Sequence, residues 1–269
     1  MKMLLKDMAE LEQFDVPPAP IHLSNSTDPF QPLEAEVGHT RATLEQVLAH
    51  RKRFSSVVVL TKNPTLAAEP GCIDLFRQLG RLGQDHPCYA KFTHTGIPPF
   101  LVEVSLAFWQ EASRQAYDPG APSIVERMEG IRLLRQAGIP VALRIDPLFP
   151  RAPFRDNSAR TYRDFDLPEP QTLGDLERLV AFAQEAGACR VVYSPAKIVQ
   201  PRRRPMSRAM RSMRSLYESV AAPEHLIFRG GSWRLPPQRQ SAVTAPLVDL
   251  CRRHGISAKC CMQNLTETP

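Results

Sequence analysis

Three stretches of this chain are built alike: an amphipathic helix stops at a glycine and an apolar, β-rich run begins at once. They are 131–141 (IRLLRQAGIPV), 179–191 (LVAFAQEAGACRV) and 250–256 (LCRRHGI). Gly138, Gly187 and Gly255 read as the residues that close a helix in the left-handed conformation, which costs glycine least. Repeated helix-to-strand units require parallel strands joined by helical crossovers. Ser123 and Glu126 have the spacing of a capping box ahead of the first helix, and Thr172 with Asp175 is a variant of it before the second. Upstream, 33–52 reads as a helix with Leu44, Val47 and Leu48 on one face, and 67–82 holds another that starts after Pro70, with Ile73, Phe76 and Leu79 in phase. Strands are expected near 21–24, 56–61, 101–107, 140–146, 189–194 and 256–261. Eight would close a full barrel, so the expected fold is a partial α/β, TIM-like barrel with a parallel sheet.

The 269 residues, 43% of them hydrophobic, suit a single domain over 1–269, with a core at about 19–200 and a C-terminal extension at about 201–269. No apolar run approaches the ~20 residues that span a bilayer. The first ten residues, MKMLLKDMAE, turn acidic too early for a secretory signal. A cytoplasmic protein with no membrane partner is expected. The six cysteines do not resemble a secreted disulfide framework and read as reduced thiols. Two connections, 84–99 and 148–171, are long and rich in proline, a trait of functional loops.

The expected strands end in polar residues. Asp28 follows the first, Lys62 the second, and Ser105 lies in the third. Arg144 and Asp146 share one face of the fourth, and Tyr193, Ser194 and Lys197 close the fifth. In barrels of strand–helix units, chemistry sits at the C-terminal strand ends. Each residue also has a plainer reading. Asp28 suits a helix cap, Ser105 a filler of the barrel core, Lys62 an exposed strand end, and Arg144 with Asp146 a structural ion pair. Asp28 and Asp146 with a histidine would also suit a hydrolase, but the strand ends lack a metal-spaced His/Asp set.

Two further patterns stand apart. Cys251, His254, Cys260 and Cys261 contain soft metal donors, yet adjacent Cys260 and Cys261 would point to opposite faces of a strand, so no metal is assigned to them. Arg202, Arg203, Arg204, Arg208, Arg211 and Arg214 fall in thirteen residues without an acid. The net charge of +6 therefore describes this one segment. Such a patch contacts nucleic-acid phosphates; the alternative is a surface helix with Met206, Met210 and Met213 on its core face. No aromatic residue interleaves with these arginines in the sequence.

The ordered set of short motifs resembles a known family. The segment 26–34 (STDPFQPLE) is similar to the S/T-D-P-Y-Q-P-x-E segment of radical SAM proteins related to spore photoproduct lyase, often called DNA repair photolyases. Thr40-Arg41, 60–62 (LTK), 104–106 (VSL), 119–123 (PGAPS), Glu126-Arg127 and 131–141 follow in the family's order over about 19–200. The resemblance implies a partial (β/α)6 barrel, S-adenosylmethionine (SAM) and a [4Fe–4S] cluster as cofactors, and radical lyase chemistry on a substrate that the resemblance does not fix, with nucleic acid a candidate. It implies that Lys62 meets the SAM carboxylate, that Ser105 lies near the ribose or carboxylate, and that Ser26, Thr27 and Asp28 face the methionine group. Arg144, Asp146 and Tyr193 would line the substrate cavity. One departure is plain: the family's C-x3-C-x2-C cluster triplet occurs nowhere in the sequence. The chain is expected to start just ahead of the family's second strand, without the first strand–helix unit. A degenerate, non-catalytic barrel that keeps a ligand or a nucleic acid is the alternative to an enzyme.

Overall fold

The computed structural model describes residues 2–14, 17–23, 27–90, 98–151, 161–201, 203 and 205–261. Its main sheet has six strands: β1 (Ala19–Leu23), β2 (Phe54–Thr61), β3 (Phe100–Ser105), β4 (Val141–Leu148), β5 (Arg190–Pro195) and, last in the chain, β9 (Ala258–Cys260). They are hydrogen-bonded in that order and run parallel, the sheet of a partial α/β barrel. The helices are α1 (Lys2–Gln13), α2 (Glu34–Val37), α3 (His39–Ala49), α4 (Pro64–Ala67), α5 (Pro70–Gly80), α6 (Glu111–Tyr117), α7 (Ile124–Gln136), α8 (Leu173–Glu185), α9 (Arg208–Ala221) and α10 (Pro237–Arg253). A small antiparallel sheet holds β6 (Ile198–Val199), β7 (Ile227–Arg229) and β8 (Ser232–Arg234) in the order β6-β8-β7.

The chain divides into two compact units. The first comprises 1–105, 121–143 and 186–189; the second comprises 106–120, 144–185 and 190–269. In the first, β1 pairs with β2 and β2 with β3, all parallel. The register sets Thr61 beside Val104 and Leu60 beside Glu103. One face carries Val57, Val59, Val102 and Val104, each fully buried. Phe100 on that face stacks on Phe76 of α5 at 4.7 Å between ring centroids, and Phe30 meets Phe76 edge-on at 6.2 Å. At the N-terminal ends of these strands, Arg51 is buried and donates to the carbonyls of Leu79, Phe54 and Pro99. One guanidinium thus joins the end of α5 to the starts of β2 and β3. In the second unit, β5 and β9 pair in parallel, so the segment expected as an extension contributes a strand.

The local signals behave as their chemistry requires. Gly138, Gly187 and Gly255 take positive φ, and Ser123 with Glu126 forms the capping box of α7. The expected helix over 33–52 is corrected: it is two helices, α2 and α3, broken at Gly38, whose φ is 61°. The Glu34 carboxylate accepts the free Thr40 and Arg41 amides of the new N-terminus, at 2.7 and 3.1 Å, which offsets the interrupted ladder. Helix α1 and the β7–β8 pair are additions to the expected elements.

Candidate functional site

In the first unit, the residues after β1 and β2 are tied together through Asp28. Its Oδ1 accepts from the Phe30 amide at 2.9 Å and from Thr61 Oγ1 at 2.8 Å, while Oδ2 accepts the Lys62 amide at 2.5 Å. Thr61 Oγ1 in turn accepts the Asn63 amide at 2.9 Å. Asn63 Nδ2 returns to the Phe30 carbonyl at 2.9 Å, and its Oδ1 accepts from Thr65 and from the Leu66 amide to cap α4. Gln31 Nε2 donates to the Asp28 carbonyl, and Thr40 Oγ1 to that of Pro29. Residues 28–31 thus form a hydrogen-bonded corner in which Asp28 is the main acceptor.

Strand alternation sets Ser105 of the expected site on the face opposite Thr61. Thr61 and Val104 share one face; Leu60, Glu103 and Ser105 share the other, and Lys62 follows the last residue of β2. Lys62 is half-buried at the end of β2. Ser105 is 5% exposed, and its carbonyl accepts from Arg127 at 3.0 Å. Arg127 is itself 1% exposed and also donates to the Pro122 carbonyl. Glu103 is likewise buried. Thr27 is exposed, and Ser26 lies outside the described residues. Arg127 entered the sequence reading only as part of a motif; nothing in its neighbours showed that it would be buried.

In the second unit, Arg144 donates to Asp146 Oδ2 from Nε at 3.2 Å and from Nη2 at 2.8 Å. The expected ion pair is present. Nη2 also reaches Cys261 Sγ at 3.1 Å. Tyr193 on β5 is buried, and burial pushes its phenol up, helped by Cys260 and Cys251, so it stays protonated at neutral pH. Gln171, which the sequence reading did not single out, is 1% exposed. It donates to the carbonyls of Ala107 and Pro147 and accepts the Phe149 amide, so one side chain fixes the backbone leaving β3 and β4. Its only sequence signal was its place in a long, proline-rich connection.

The arginine segment folds onto the small sheet of the second unit. Arg214 lies 4.3 Å over the Trp233 ring and pairs with Glu218 at 2.9 Å. Trp233 packs on Phe228 at 4.6 Å, and Phe228 is 50% exposed. Arg208 pairs with Asp166 and Arg211 donates to the Met206 carbonyl. Arg203 is exposed; Arg202 and Arg204 lie outside the described residues. Of the methionines expected on a core face, Met213 is buried, Met210 is half-buried and Met206 precedes α9.

Among the described residues, no three of Cys, His, Asp and Glu gather to hold a metal. Cys260 is buried and Cys261 exposed, the opposite facing that alternation requires. The residues present do not fit a [4Fe–4S] cluster, which needs convergent thiolates. The donor types suit the carboxylate end of SAM in kind: Lys62 follows the last residue of β2 and Ser105 ends β3. Among the described residues, no helix is long and apolar enough to cross a membrane.

Six parallel strands with helical crossovers form a partial α/β barrel. In particular, the fold is similar to that of spore photoproduct lyase. A cysteine-to-serine mutant of that enzyme matches 96% of this chain and 65% of its own length, at a TM-score of 0.56 and 10% identity. A double mutant with bound AdoMet, that is SAM, and dinucleoside spore photoproduct matches 96% and 64%, at a TM-score of 0.54 and 10% identity. The likeness is one of fold, and the chain spans a little under two thirds of those structures. No family model and no curated protein matches the sequence.

Proposed function

We propose that the first unit binds SAM at the C-terminal ends of β1, β2 and β3, and that the protein serves radical SAM-type chemistry on a nucleic-acid substrate. The observation that carries the reading is Lys62, placed at the end of β2 in a fold that holds AdoMet in a solved structure. In this reading Lys62 meets the SAM carboxylate and Ser105 the ribose or carboxylate, with Thr27 beside the methionine group. Bound SAM supplies a sulfonium whose carbon–sulfur bond can be cleaved. The electron for that cleavage comes from an iron–sulfur cluster in proteins of this class, and the described residues do not offer its ligands. The part assigned to this chain is therefore the binding of cofactor and substrate.

The second unit supports the nucleic-acid part. Residues 190–269 carry fourteen Lys and Arg against four Asp and Glu, a concentration suited to phosphates. Phe228 and Trp233 supply the aromatic surface that was absent between the arginines in sequence, and bases stack on such surfaces.

Calorimetry with SAM tests the cofactor assignment. Without a cluster to chelate the amino-acid end, wild type should bind weakly, since a charge-assisted bond contributes only about 1.5–3 kcal/mol against the entropy of association. Lys62→Ala should weaken binding at least about tenfold. Tight binding that is unchanged in Lys62→Ala would place the pocket elsewhere.

A further inference from the structure

We propose that Asp28 is a positioning residue that sets where Lys62 stands, and that it is not itself a ligand of the bound molecule. The inference rests on the SAM reading above for what Lys62 meets. Asp28 departs there from the role that the motif resemblance gave it.

Three observations carry it. First, the acceptor capacity of Asp28 is nearly used. A carboxylate offers about four lone-pair sites, and the Phe30 amide, Thr61 hydroxyl and Lys62 amide take three of them. Second, the residue it grips belongs to the wrong face for a ligand site. Thr61 is 1% exposed and sits on the face of Val59 and Val104, whereas Ser105 lies on the other. Third, Asp28 takes the Lys62 amide itself. That amide lies just past the last residue of β2, where the sheet ladder no longer fixes the backbone. Asn63, anchored to Phe30 and to the start of α4, holds the next residue. Lys62 is therefore clamped on both sides, and the direction in which its long side chain departs is set by these bonds.

Replacing Asp28 by asparagine keeps the size but swaps one acceptor oxygen for a donor. A donor facing the Lys62 amide cannot hold it. Thr61→Val removes only the hydroxyl that Asp28 accepts, a smaller disturbance of the same clamp.

The test is a double-mutant cycle on SAM binding with Asp28→Asn, Lys62→Ala and the pair, run beside hydrogen exchange of the Lys62 amide and thermal unfolding. If Asp28 acts through Lys62, Asp28→Asn weakens SAM binding about tenfold in the wild-type background and less than about twofold in the Lys62→Ala background. Thr61→Val moves binding in the same direction by less. The Lys62 amide should exchange at least about tenfold faster in Asp28→Asn. Equal loss of SAM binding in both backgrounds would make Asp28 a direct ligand or a general scaffold residue, and overturns the proposal. If wild type binds no SAM, the cofactor assignment fails by itself. Positioning is then decided on protein carrying ¹³C-methylated lysines: a shifted Lys62 methyl signal in Asp28→Asn upholds it, and an unchanged signal with unchanged amide exchange refutes it.

Discussion

Gly130 shows how one missing atom sets a helix crossing. A Cβ built at this position would lie 2.5 Å from the Thr65 amide nitrogen and 2.6 Å from the Pro64 carbonyl carbon. Both are backbone atoms of α4, so neither can swing aside. Gly130 lies inside α7, where glycine is otherwise unfavourable by up to about 1 kcal/mol relative to alanine. The close approach of α4 and α7 is the reason it is there. Gly130→Ala should therefore destabilise by about 1–3 kcal/mol, seen as a lower urea midpoint with unchanged slope. A neutral or stabilising result would mean that α4 is not seated against α7 as described. A sequence shows the glycine but not this role, because Pro64 and Thr65 are far away along the chain. The polar strand ends were readable for the opposite reason: alternation is local, so Arg144 and Asp146 could be placed on one face of β4 before any contact was known. Asp28 could be read as an acceptor, while its three donors, two of them more than thirty residues away, could not.

Among the elements, the loop at 83–90 is held by a neutral histidine. His86 Nδ1 accepts the Cys88 amide at 3.1 Å, so its Nε2 carries the proton given to the Arg51 carbonyl at 3.2 Å. Burial holds His86 below its usual value of 6.5, and the Arg51 and Lys52 cations push the same way, against its bond to the Arg51 carbonyl and the charge of Asp85. Below pH 6.5 the unfolded chain takes a proton that the folded one resists. Stability contributed here is complete above about pH 6.5 and is lost as pH falls through the lowered folded value, by at most about 1.4 kcal/mol per pH unit. Urea unfolding at pH 7.5, 6.5 and 5.5 should show this fall, and His86→Gln should flatten it; an equal slope in both proteins would locate the proton elsewhere. The elements themselves were largely legible. Each glycine-closed helix and all six strands of the main sheet follow from period, caps and punctuation. The split of 33–52 escaped because Gly38 sits in a run that otherwise keeps helical composition; its left-handed backbone, with Glu34 accepting the Thr40 and Arg41 amides, makes two helices of it. The strands β7 and β8 escaped because three residues each carry too few positions for a period, with β7 exposed throughout and β8 buried or half-buried.

For the molecule as a whole, charge is the property that local reading understated. The chain carries +6, but residues 190–269 alone hold an excess of ten cations over anions, fourteen against four. The remainder is acidic. Linear sequence displayed six clustered arginines without aromatic neighbours; the fold brings Trp233 and Phe228 from a later hairpin to Arg214. Stacking and phosphate contact then predict separable effects on a single-stranded oligonucleotide measured by fluorescence anisotropy. Binding should weaken steeply between 50 and 200 mM salt, because each neutralised phosphate releases counterions. Phe228→Ala should cost about fivefold or more at every salt concentration and leave the slope alone, since stacking contributes about 1–3 kcal/mol per base. Arg229→Ala, which removes an exposed cation from the same hairpin, should lower the slope by about one unit. A wild-type protein whose oligonucleotide binding ignores salt would remove the nucleic-acid reading. A Phe228→Ala variant with wild-type affinity would leave the arginines as a charged surface without a base-stacking platform.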